Sequence, residues 1–378
     1  MSKKILIVAG ESSGDLYGAR LVEAVKSRLP DTDFLGVGGS YMKAAGVRIL
    51  FPIDELSIIG ISEIFSKINV LKTAFSLLQK SADEEKIDLA VLVNYPGFNL
   101  KLSGILKKKG IPVIFYSSPQ VWAWAGWRVG TIKKYVDKMI VFFKFEEEFY
   151  KERGVGVEFI GHPLVDTVKP KGENIGLEKN PSSKITSLVP GSRKSEIKNM
   201  FGAMLDAAGI IHQKDPSVRF IVTKHPDISP DLYLEFTQKR RLPVTIVDGK
   251  THDCLALSDL AIVVSGSVTL EAALLGTPMI ITNKLSLFNA LIYLLLVRLE
   301  NVGLVNIIAG KRVMPELLQY NATGKKIAKE AIDILTGDKR YEKMKEDLAS
   351  VNKLVGAPGA SGRGAEIICG FLNRNSQG

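Results

Sequence analysis

Two stretches in the second half of the chain decide its fold: Ile185-Thr-Ser-Leu-Val-Pro-Gly-Ser-Arg193 and Leu260-Ala-Ile-Val-Val-Ser-Gly-Ser-Val-Thr-Leu-Glu271. Each stretch is an apolar strand followed by a short Gly/Ser turn and the start of a helix. Such a turn leaves backbone N–H groups and a helix N-terminus unpaired, and those groups bind phosphate. Two of these turns at the carboxyl edge of one open sheet indicate a nucleotide site.

The residues predicted to bind the nucleotide lie in and just after these turns. Arg193 carries a fixed charge that can bind a diphosphate bidentately. Glu271, one turn into its helix, can accept two hydrogen bonds from a ribose. The remaining predicted contacts come from the turns themselves, at Gly191, Ser192, Ser265, Gly266 and Ser267.

Composition restricts the class of protein and its partners. The 378 residues are 46% hydrophobic and 24% charged, which predicts a globular chain of two domains. The formal net charge of +10 suits nucleic acid, an anionic membrane surface or phosphorylated substrates. No nucleic-acid-binding module is recognisable, so nucleic acid is the least favoured partner. Cys254 and Cys369 have no metal or redox spacing, and we expect them to be reduced.

The apolar segments predict a cytoplasmic protein that is at most peripheral to a membrane. The N-terminus leads directly into the strand Ile5-Leu-Ile-Val-Ala9, without the pattern of a signal peptide. The longest apolar stretch, Leu285–Leu299, contains Asn289 and Arg298 and is too short to span a bilayer. We interpret it as a buried helix, with a membrane contact as the alternative.

Strand and helix patterns alternate along the whole chain, which is typical of parallel α/β sheets. Strands are predicted at 4–9, 33–37, 88–93, 112–116, 138–143, 157–160, 185–189, 218–223, 244–247, 260–264 and 278–281. We infer an α/β fold with two Rossmann-like domains whose parallel sheets face a central cleft. The expected boundaries are 1–168, a linker at 169–184, 185–345, and a hinge and helix at 346–378 that cross back to the first domain.

Three motifs of the first half end predicted strands, and each has two interpretations. Gly10-Glu-Ser-Ser-Gly-Asp15 is either a capped turn or a close approach of backbone to ligand, but it is not a dinucleotide GxGxxG motif. Asn94-Tyr-Pro-Gly-Phe-Asn99 is either a plain turn capped by Asn99 or a site of chemistry. His162 either binds a phosphate or sugar hydroxyl or is a packed structural histidine.

A tryptophan-rich loop and an apolar segment complete the candidates. Ser118-Pro-Gln-Val-Trp-Ala-Trp124, followed by Trp127, holds all three tryptophans and predicts a loop that shapes a cleft. Residues 56–78 predict either an amphipathic helix packed on the sheet or an exposed surface that contacts lipid. The residues that would contact lipid are Ile58, Ile59, Ile61, Ile64, Phe65 and Ile68.

Taken together, these motifs resemble the lipid-A-disaccharide synthase family over essentially the whole chain. Further matching segments are Phe159-Ile-Gly-His162, Asn306-Ile-Ile-Ala-Gly310 and Pro315-Glu-Leu-Leu-Gln319. The resemblance implies a GT-B fold and inverting transfer of 2,3-diacylglucosamine from UDP to 2,3-diacylglucosamine 1-phosphate (lipid X). The bond formed would be β-1,6. No metal or cofactor is expected, because in this fold arginine and helix N-termini offset the diphosphate charge.

The resemblance also implies binding residues and partners. Beside the residues of the two turns, the implied substrate ligands are Gly14, Trp122, Trp124, His162, Asn306 and Gln319. The family works on acylated substrates at the inner-membrane surface. The implied partners are therefore UDP-diacylglucosamine, lipid X and the cytoplasmic face of the inner membrane, and a homodimer is left open.

Two positions depart from the family pattern. Asn94 stands where the family usually has an Asp that is the favoured general base, and an amide cannot accept the acceptor proton at neutral pH. Glu11 and Asp15 are the candidate substitutes for that base. Val305 stands where the family usually has Pro, which we expect to be tolerated.

Two other functions stay open at this point. One is another UDP-sugar enzyme of the same fold, either a UDP-N-acetylglucosamine epimerase or a peptidoglycan-type transferase. The other is a weakly active paralogue that binds nucleotide and lipid. The apolar segment 56–78 favours an acylated substrate over a soluble one, whereas Asn94 keeps the paralogue open.

Overall fold

The structure is a computed structural model that describes residues 3–56, 68–180, 182–240, 242–284 and 300–374, with the side chain of Trp124 excepted. These residues form two units. The first contains 3–166 and 355–374, and the second contains the described residues from 167 to 354. The chain therefore passes into the second unit after Asp166 and returns to the first at Val355.

The first unit contains a sheet of seven parallel strands in the order β3-β2-β1-β4-β5-β6-β7. Its strands are Lys3–Ala9 (β1), Thr32–Gly38 (β2), Val47–Pro52 (β3), Leu89–Val93 (β4), Val113–Tyr116 (β5), Lys138–Val141 (β6) and Val157–Phe159 (β7). Residues 5–9 of β1 and the whole of β4 are fully buried. Uninterrupted burial of this kind is typical of a parallel sheet that is covered on both faces.

The helices of the first unit connect these strands. They are Ser12–Lys26 (α1), Ser40–Ala44 (α2), Ile53–Leu56 (α3), Ile68–Glu84 (α4), Pro96–Lys108 (α5), Val121–Trp124 (α6), Val129–Tyr135 (α7), Lys144–Glu152 (α8) and Leu164–Thr167 (α9), which ends at the boundary. A 3₁₀ turn covers Gly126–Arg128. The strand order reverses between β1 and β4, so the turns after those two strands open at the switch point of the sheet.

The second unit contains a sheet of six parallel strands in the order β10-β9-β8-β11-β12-β13. Its strands are Ile185–Val189 (β8), Arg219–Lys224 (β9), Val244–Asp248 (β10), Leu260–Val264 (β11), Met279–Asn283 (β12) and Glu316–Leu318 (β13). The switch point lies between β8 and β11. These are the two strands that precede the Pro190 and Ser265 turns, so the pairing predicted for the turns is confirmed.

Seven helices follow among the described residues of the second unit. They are Lys194–Lys214 (α10), Pro230–Thr237 (α11), Thr251–Leu257 (α12), Val268–Leu274 (α13), Leu304–Ala309 (α14), Gly324–Leu335 (α15) and Asp338–Leu354 (α16), and a 3₁₀ turn covers Gln319–Asn321. The last helix of the chain, Ala360–Arg374 (α17), belongs to the first unit, where Arg28 pairs with Glu366 at 3.0 Å.

The predicted α/β class with two parallel sheets is confirmed, and some boundaries need correction. Strands β3 and β13 were not predicted. The hinge expected from residue 346 begins later, because residues 346–354 are the last turns of α16 and Leu348 and Val351 are buried in the second unit. The predicted helix at 285–299 lies outside the described residues. Among the residues that are described, no helix is long and apolar enough to cross a membrane.

Candidate functional site

Glu11 and Asn94 lie side by side at the switch point of the first sheet. Glu11 follows β1, Asn94 follows the neighbouring strand β4, and the Asn94 side-chain N–H donates to Glu11 Oε1. Both side chains are partly exposed. A carboxylate open to solvent at this edge can accept a proton from a substrate, and the adjacent amide fixes its orientation.

The backbone at Asn94 and Tyr95 is left-handed, with φ of 47° and 50°. Asparagine tolerates this conformation, whereas a tyrosine there is strained and has to be held by its surroundings. The Tyr95 hydroxyl donates to the Leu56 carbonyl at 3.0 Å, and the Asn99 amide donates to the Asn94 carbonyl at 2.8 Å. Gly10 is required here, because a Cβ would lie 2.1 Å from the Tyr95 ring. Burial, and then the charge of Glu11, raises the pKa of Tyr95.

Asp15 is buried and occupied by backbone groups, unlike Glu11. Its carboxylate is 3% exposed and accepts N–H bonds from Gly39 at 2.7 Å, Tyr41 at 3.0 Å and Met42 at 3.1 Å. Both oxygens therefore cap the start of α2. Gly14, an expected ligand, is buried in the first turn of α1, where a Cβ would make ordinary contact with Ala9 at 3.4 Å. The structure gives Asp15 a structural role in place of the expected base, and Gly14 stays a predicted ligand.

The tryptophan loop is tied to a buried carboxyl that the motifs did not reveal. Trp122 Nε1 donates to Glu146 Oε1 at 3.2 Å, and Glu146 Oε2 accepts the N–H groups of Phe142 and Phe143, both at 3.2 Å. Burial raises the pKa of Glu146 to about 7, against the opposing effect of these hydrogen bonds. The available signal was Glu146 at the third position of α8, from which a carboxylate can accept the N–H of the N-cap residue, here Phe143. Trp127 is 73% exposed.

His162 is a packed structural histidine. It is 4% exposed, and its ring packs against Tyr17, Phe142 and Phe143 at centroid distances of 5.4, 5.3 and 5.1 Å. Its Nδ1 accepts the Leu164 N–H at 3.1 Å. Burial lowers the pKa of His162 to about 3, so the ring is neutral at physiological pH. These contacts favour the packed structural histidine over the ligand interpretation.

The Pro190–Arg193 turn of the second unit holds a carboxylate of its own. Glu196 Oε2 accepts the N–H groups of Ser192 at 3.0 Å and Arg193 at 3.2 Å, and Arg193 Nη1 donates to Glu196 Oε1 at 2.9 Å. Gly191 is left-handed, with φ of 110°, and a Cβ there would lie 2.3 Å from Glu196. The N–H groups expected to be free for phosphate are thus paired with Glu196, and a phosphate bound at this turn would replace that carboxylate.

The Ser265 turn carries the second group of polar contacts. Ser265 Oγ donates to the Val302 carbonyl at 3.1 Å, and Ser267 Oγ donates to Glu271 Oε1 at 2.9 Å. The other oxygen of Glu271 lies 3.2 Å from His252 Nε2. Gly266 is exposed, with open space where a side chain would lie. The turn is therefore accessible, and its carboxylate is already oriented by two neighbours.

Asn306 is a structural residue, contrary to its expected role as a ligand. It is fully buried, accepts the N–H groups of Val313 at 2.9 Å and Met314 at 2.8 Å, and donates to Glu316 at 2.8 Å. Glu316 in turn accepts the N–H groups of Val302 and Gly303, each at 2.9 Å. The pair fixes the segment that contacts Ser265. Gln319 follows β13 with φ of 52° and stays partly exposed.

No group of three or more His, Cys, Asp or Glu side chains that could hold a metal ion occurs in the described ranges. Of the residues expected to contact lipid, Ile58, Ile59, Ile61, Ile64 and Phe65 lie outside those ranges. Ile68, at the start of α4, is 47% exposed. Ala74 and Leu78 of the same helix are fully buried, which matches a helix packed on the core over this part.

Comparison with known proteins identifies the family. The model of the lipid-A-disaccharide synthetase family matches residues 5–358. The lipid-A-disaccharide synthase of Syntrophus aciditrophicus (strain SB) is 41% identical over 381 residues, covering 99% of each chain. The enzyme of the same name from Geobacter sulfurreducens (strain ATCC 51573 / DSM 12127 / PCA) is 38% identical, covering 99% of this chain and 98% of the relative.

Solved structures show the fold. The S. aureus MnaA–UDP co-structure superposes with a TM-score of 0.66 at 14% identity, covering 98% of this chain and 97% of that one. The calicheamicin glycosyltransferase CalG4 gives 0.60 at 15% identity, covering 99% of each chain. These neighbours show a GT-B fold. The relatives of higher identity favour the disaccharide synthase over the epimerase and peptidoglycan-type alternatives, and the chain belongs to the lipid-A-disaccharide synthase family of glycosyltransferases.

Proposed function

We propose that the chain condenses UDP-2,3-diacylglucosamine with 2,3-diacylglucosamine 1-phosphate, forming a β-1,6-linked disaccharide 1-phosphate and UDP. The acceptor 6-hydroxyl attacks the anomeric carbon as the bond from that carbon to the diphosphate breaks. UDP leaves with the bonding electrons, and the hydroxyl proton passes to a protein carboxylate. One displacement of this kind inverts the anomeric configuration.

Glu11 is the carboxylate that we assign to that proton, and its hydrogen bond with Asn94 is the observation that carries the proposal. Asp15 is buried and accepts three backbone N–H groups, whereas Glu11 is partly exposed at the switch point. The side-chain N–H of Asn94 donates to Glu11. The side-chain oxygen of Asn94 remains an acceptor for the hydroxyl of the acceptor substrate. Asn94 then orients the nucleophile and Glu11 deprotonates it.

Arg193 and the start of α10 are assigned to the diphosphate. Two N–H groups and a guanidinium now hold the Glu196 carboxylate, and these are the donors that bind phosphate in other proteins. The Arg193 side chain is 51% exposed. An ion pair this open contributes under about 1 kcal/mol, so a doubly charged diphosphate can displace Glu196. Glu271 is assigned to the ribose.

The two units then have separate tasks. We assign residues 1–168 to the acceptor and its acyl chains, 185–345 to the UDP-sugar, and the C-terminal helix to the first unit. Attachment to the cytoplasmic face of the inner membrane is supported by the formal net charge of +10 and by the acylated substrates. Sedimentation with anionic vesicles, compared with neutral vesicles, tests this attachment. Equal recovery in both supernatants would contradict it.

The proposed reaction is tested by incubating the purified protein with both acylated substrates. Mass spectrometry should detect the disaccharide 1-phosphate, and a coupled assay should detect UDP in equal amount. Binding of UDP without any disaccharide would instead favour a weakly active paralogue, the candidate that Asn94 supports because it lacks the family carboxylate. Glu11→Gln distinguishes an active transferase from a weakly active paralogue, because only in the active transferase should the substitution lower a measurable rate of disaccharide synthesis.

A further inference from the structure

His252 lies against the carboxylate that we assign to the ribose. Its Nε2 is 3.2 Å from Glu271 Oε2, although the two residues belong to different helices, α12 and α13. A carboxylate only accepts hydrogen bonds, so the imidazole has to carry its proton on Nε2 to pair with it. Ser267 Oγ donates to the other oxygen at 2.9 Å. The protein therefore gives each oxygen of Glu271 one donor.

The number of acceptor positions that remain on Glu271 matches a ribose diol. An ionised carboxylate has about four acceptor positions, two on each oxygen. Ser267 and His252 use one on each, which leaves one on each oxygen for a ligand. Two adjacent hydroxyls need two acceptors a carboxylate width apart. The Glu271 side chain is 17% exposed and that of His252 is 28% exposed, so solvent and ligand reach this pair.

The helix that carries His252 is fixed at its start. Asp253 accepts the N–H groups of Lys171 at 2.9 Å, Gly172 at 2.8 Å and Glu173 at 3.3 Å. Lys250, on the other side of His252, pairs with Glu173 at 3.3 Å. These contacts attach α12 to residues 171–173 of the same unit. The position of His252, and with it the direction in which it holds Glu271, is therefore set before any ligand arrives.

We propose that His252 is a positioning residue for ribose recognition, which holds the Glu271 carboxylate with both free acceptor positions directed at the 2′- and 3′-hydroxyls. The inference rests on the proposed function, in which Glu271 binds the ribose of UDP. His252 acts through Glu271, since its Nε2 proton is used by the carboxylate. It contributes selectivity for a ribonucleotide, whereas the diphosphate is bound elsewhere, at Arg193.

The readout is the ratio of dissociation constants for 2′-deoxy-UDP and UDP, measured by calorimetry on the full chain. A hydrogen bond to a charged acceptor corresponds to about tenfold or more in affinity, so the unaltered protein should prefer UDP by about that factor. A purely structural defect weakens the binding of both nucleotides by the same factor and leaves the ratio of their dissociation constants unchanged. Loss of Glu271 orientation lowers the ratio towards one.

Two conservative variants make a matched pair. The side-chain amide of His252→Gln places an N–H near the position of Nε2, whereas that of His252→Asn ends near Nδ1 and cannot reach Glu271. We expect His252→Gln to keep the ratio and His252→Asn to reduce it at least threefold. His212→Asn is the control for loss of an imidazole. His212 lies in the last turn of the 21-residue helix α10, roughly 30 Å along the helix from the Arg193 turn.

Glu271→Ala distinguishes failure of the inference from failure of the proposed function. If it lowers the ratio and His252→Asn does not, Glu271 recognises the ribose without help from His252 and the inference is wrong. If Glu271→Ala changes neither the ratio nor the UDP affinity, the ribose assignment itself is wrong. Equal loss in His252→Gln and His252→Asn would also overturn the inference, because donor position would then not matter.

Discussion

Replacing Glu146 with glutamine should remove a pH-dependent loss of stability from the first unit. Burial raises the pKa of this carboxyl from its ordinary 4.5 to about 7. Because the folded state holds the proton more tightly, the stabilisation is complete below pH 4.5 and is lost as the pH rises to about 7. One pKa unit corresponds to about 1.4 kcal/mol, so the ionised carboxylate costs the folded state about 3 kcal/mol. Glutamine does not ionise and has no such cost.

Tryptophan fluorescence is the suitable probe, because all three tryptophans, Trp122, Trp124 and Trp127, lie in the first unit. Urea unfolding of wild type and Glu146→Gln is followed at intervals from pH 4.5 to 8. Other titrating groups cancel in the difference between the two proteins. Glu148→Gln, an exposed position on the same helix, is the matched control.

The expected result is that wild type loses about 3 kcal/mol relative to Glu146→Gln across this range. A difference that stays constant with pH would refute the reasoning, since it would mean that water reaches the carboxyl. Because Trp122 donates to Glu146, the same titration should also shift the emission wavelength of the folded wild type.

Three further results are expected. Arg193→Ala should reduce kcat/KM by about two to three decades, because a charge-assisted contact to the leaving diphosphate is lost; near-native turnover in steady-state assays would remove the assignment. Asn306→Ala should lower the free energy of unfolding of the second unit by about 3 kcal/mol, since the buried N–H groups of Val313 and Met314 lose their acceptor. Circular dichroism in urea checks this, and full stability combined with weaker UDP binding would return Asn306 to the nucleotide site. Glu196→Gln should strengthen UDP binding in calorimetry, because the diphosphate no longer displaces a carboxylate; unchanged affinity would contradict that competition.

The sequence predicted the fold where local patterns were strong. Uninterrupted apolar runs such as 89–93 and 260–264 are buried strands, and the turns that follow them lie at the switch points. Strand β13 was missed because its three residues are too few to show a pattern. Strand β3, Val47–Pro52, was missed because an edge strand that mixes arginine with aliphatic residues has no clear alternation.

The site was predicted less completely, because its chemistry depends on partners that are distant in sequence. In the sequence Asp15 has no evident partner, but in the folded chain its carboxylate accepts the Gly39 N–H. Asn306 matches a family motif, but its burial follows from contacts with Val313 and Glu316. Motifs located these residues without revealing what they contact. Residue type and position in a turn were predictable, whereas the direction of each side chain was not.

Initial rates of disaccharide synthesis test the central claim that Glu11 and Asn94 share the activation of the acceptor. Wild type, Glu11→Gln, Asn94→Asp and Asp15→Asn are compared with both acylated substrates over a range of pH. General-base catalysis contributes ~10²–10⁴-fold, so Glu11→Gln should lose kcat by that order, while Asn94→Asp should raise kcat with nearly unchanged KM. Two adjacent carboxylates in Asn94→Asp should also raise the pKa of one of them and move the acidic limb of its profile. Wild-type rates in Glu11→Gln, together with no gain in Asn94→Asp, would contradict the account.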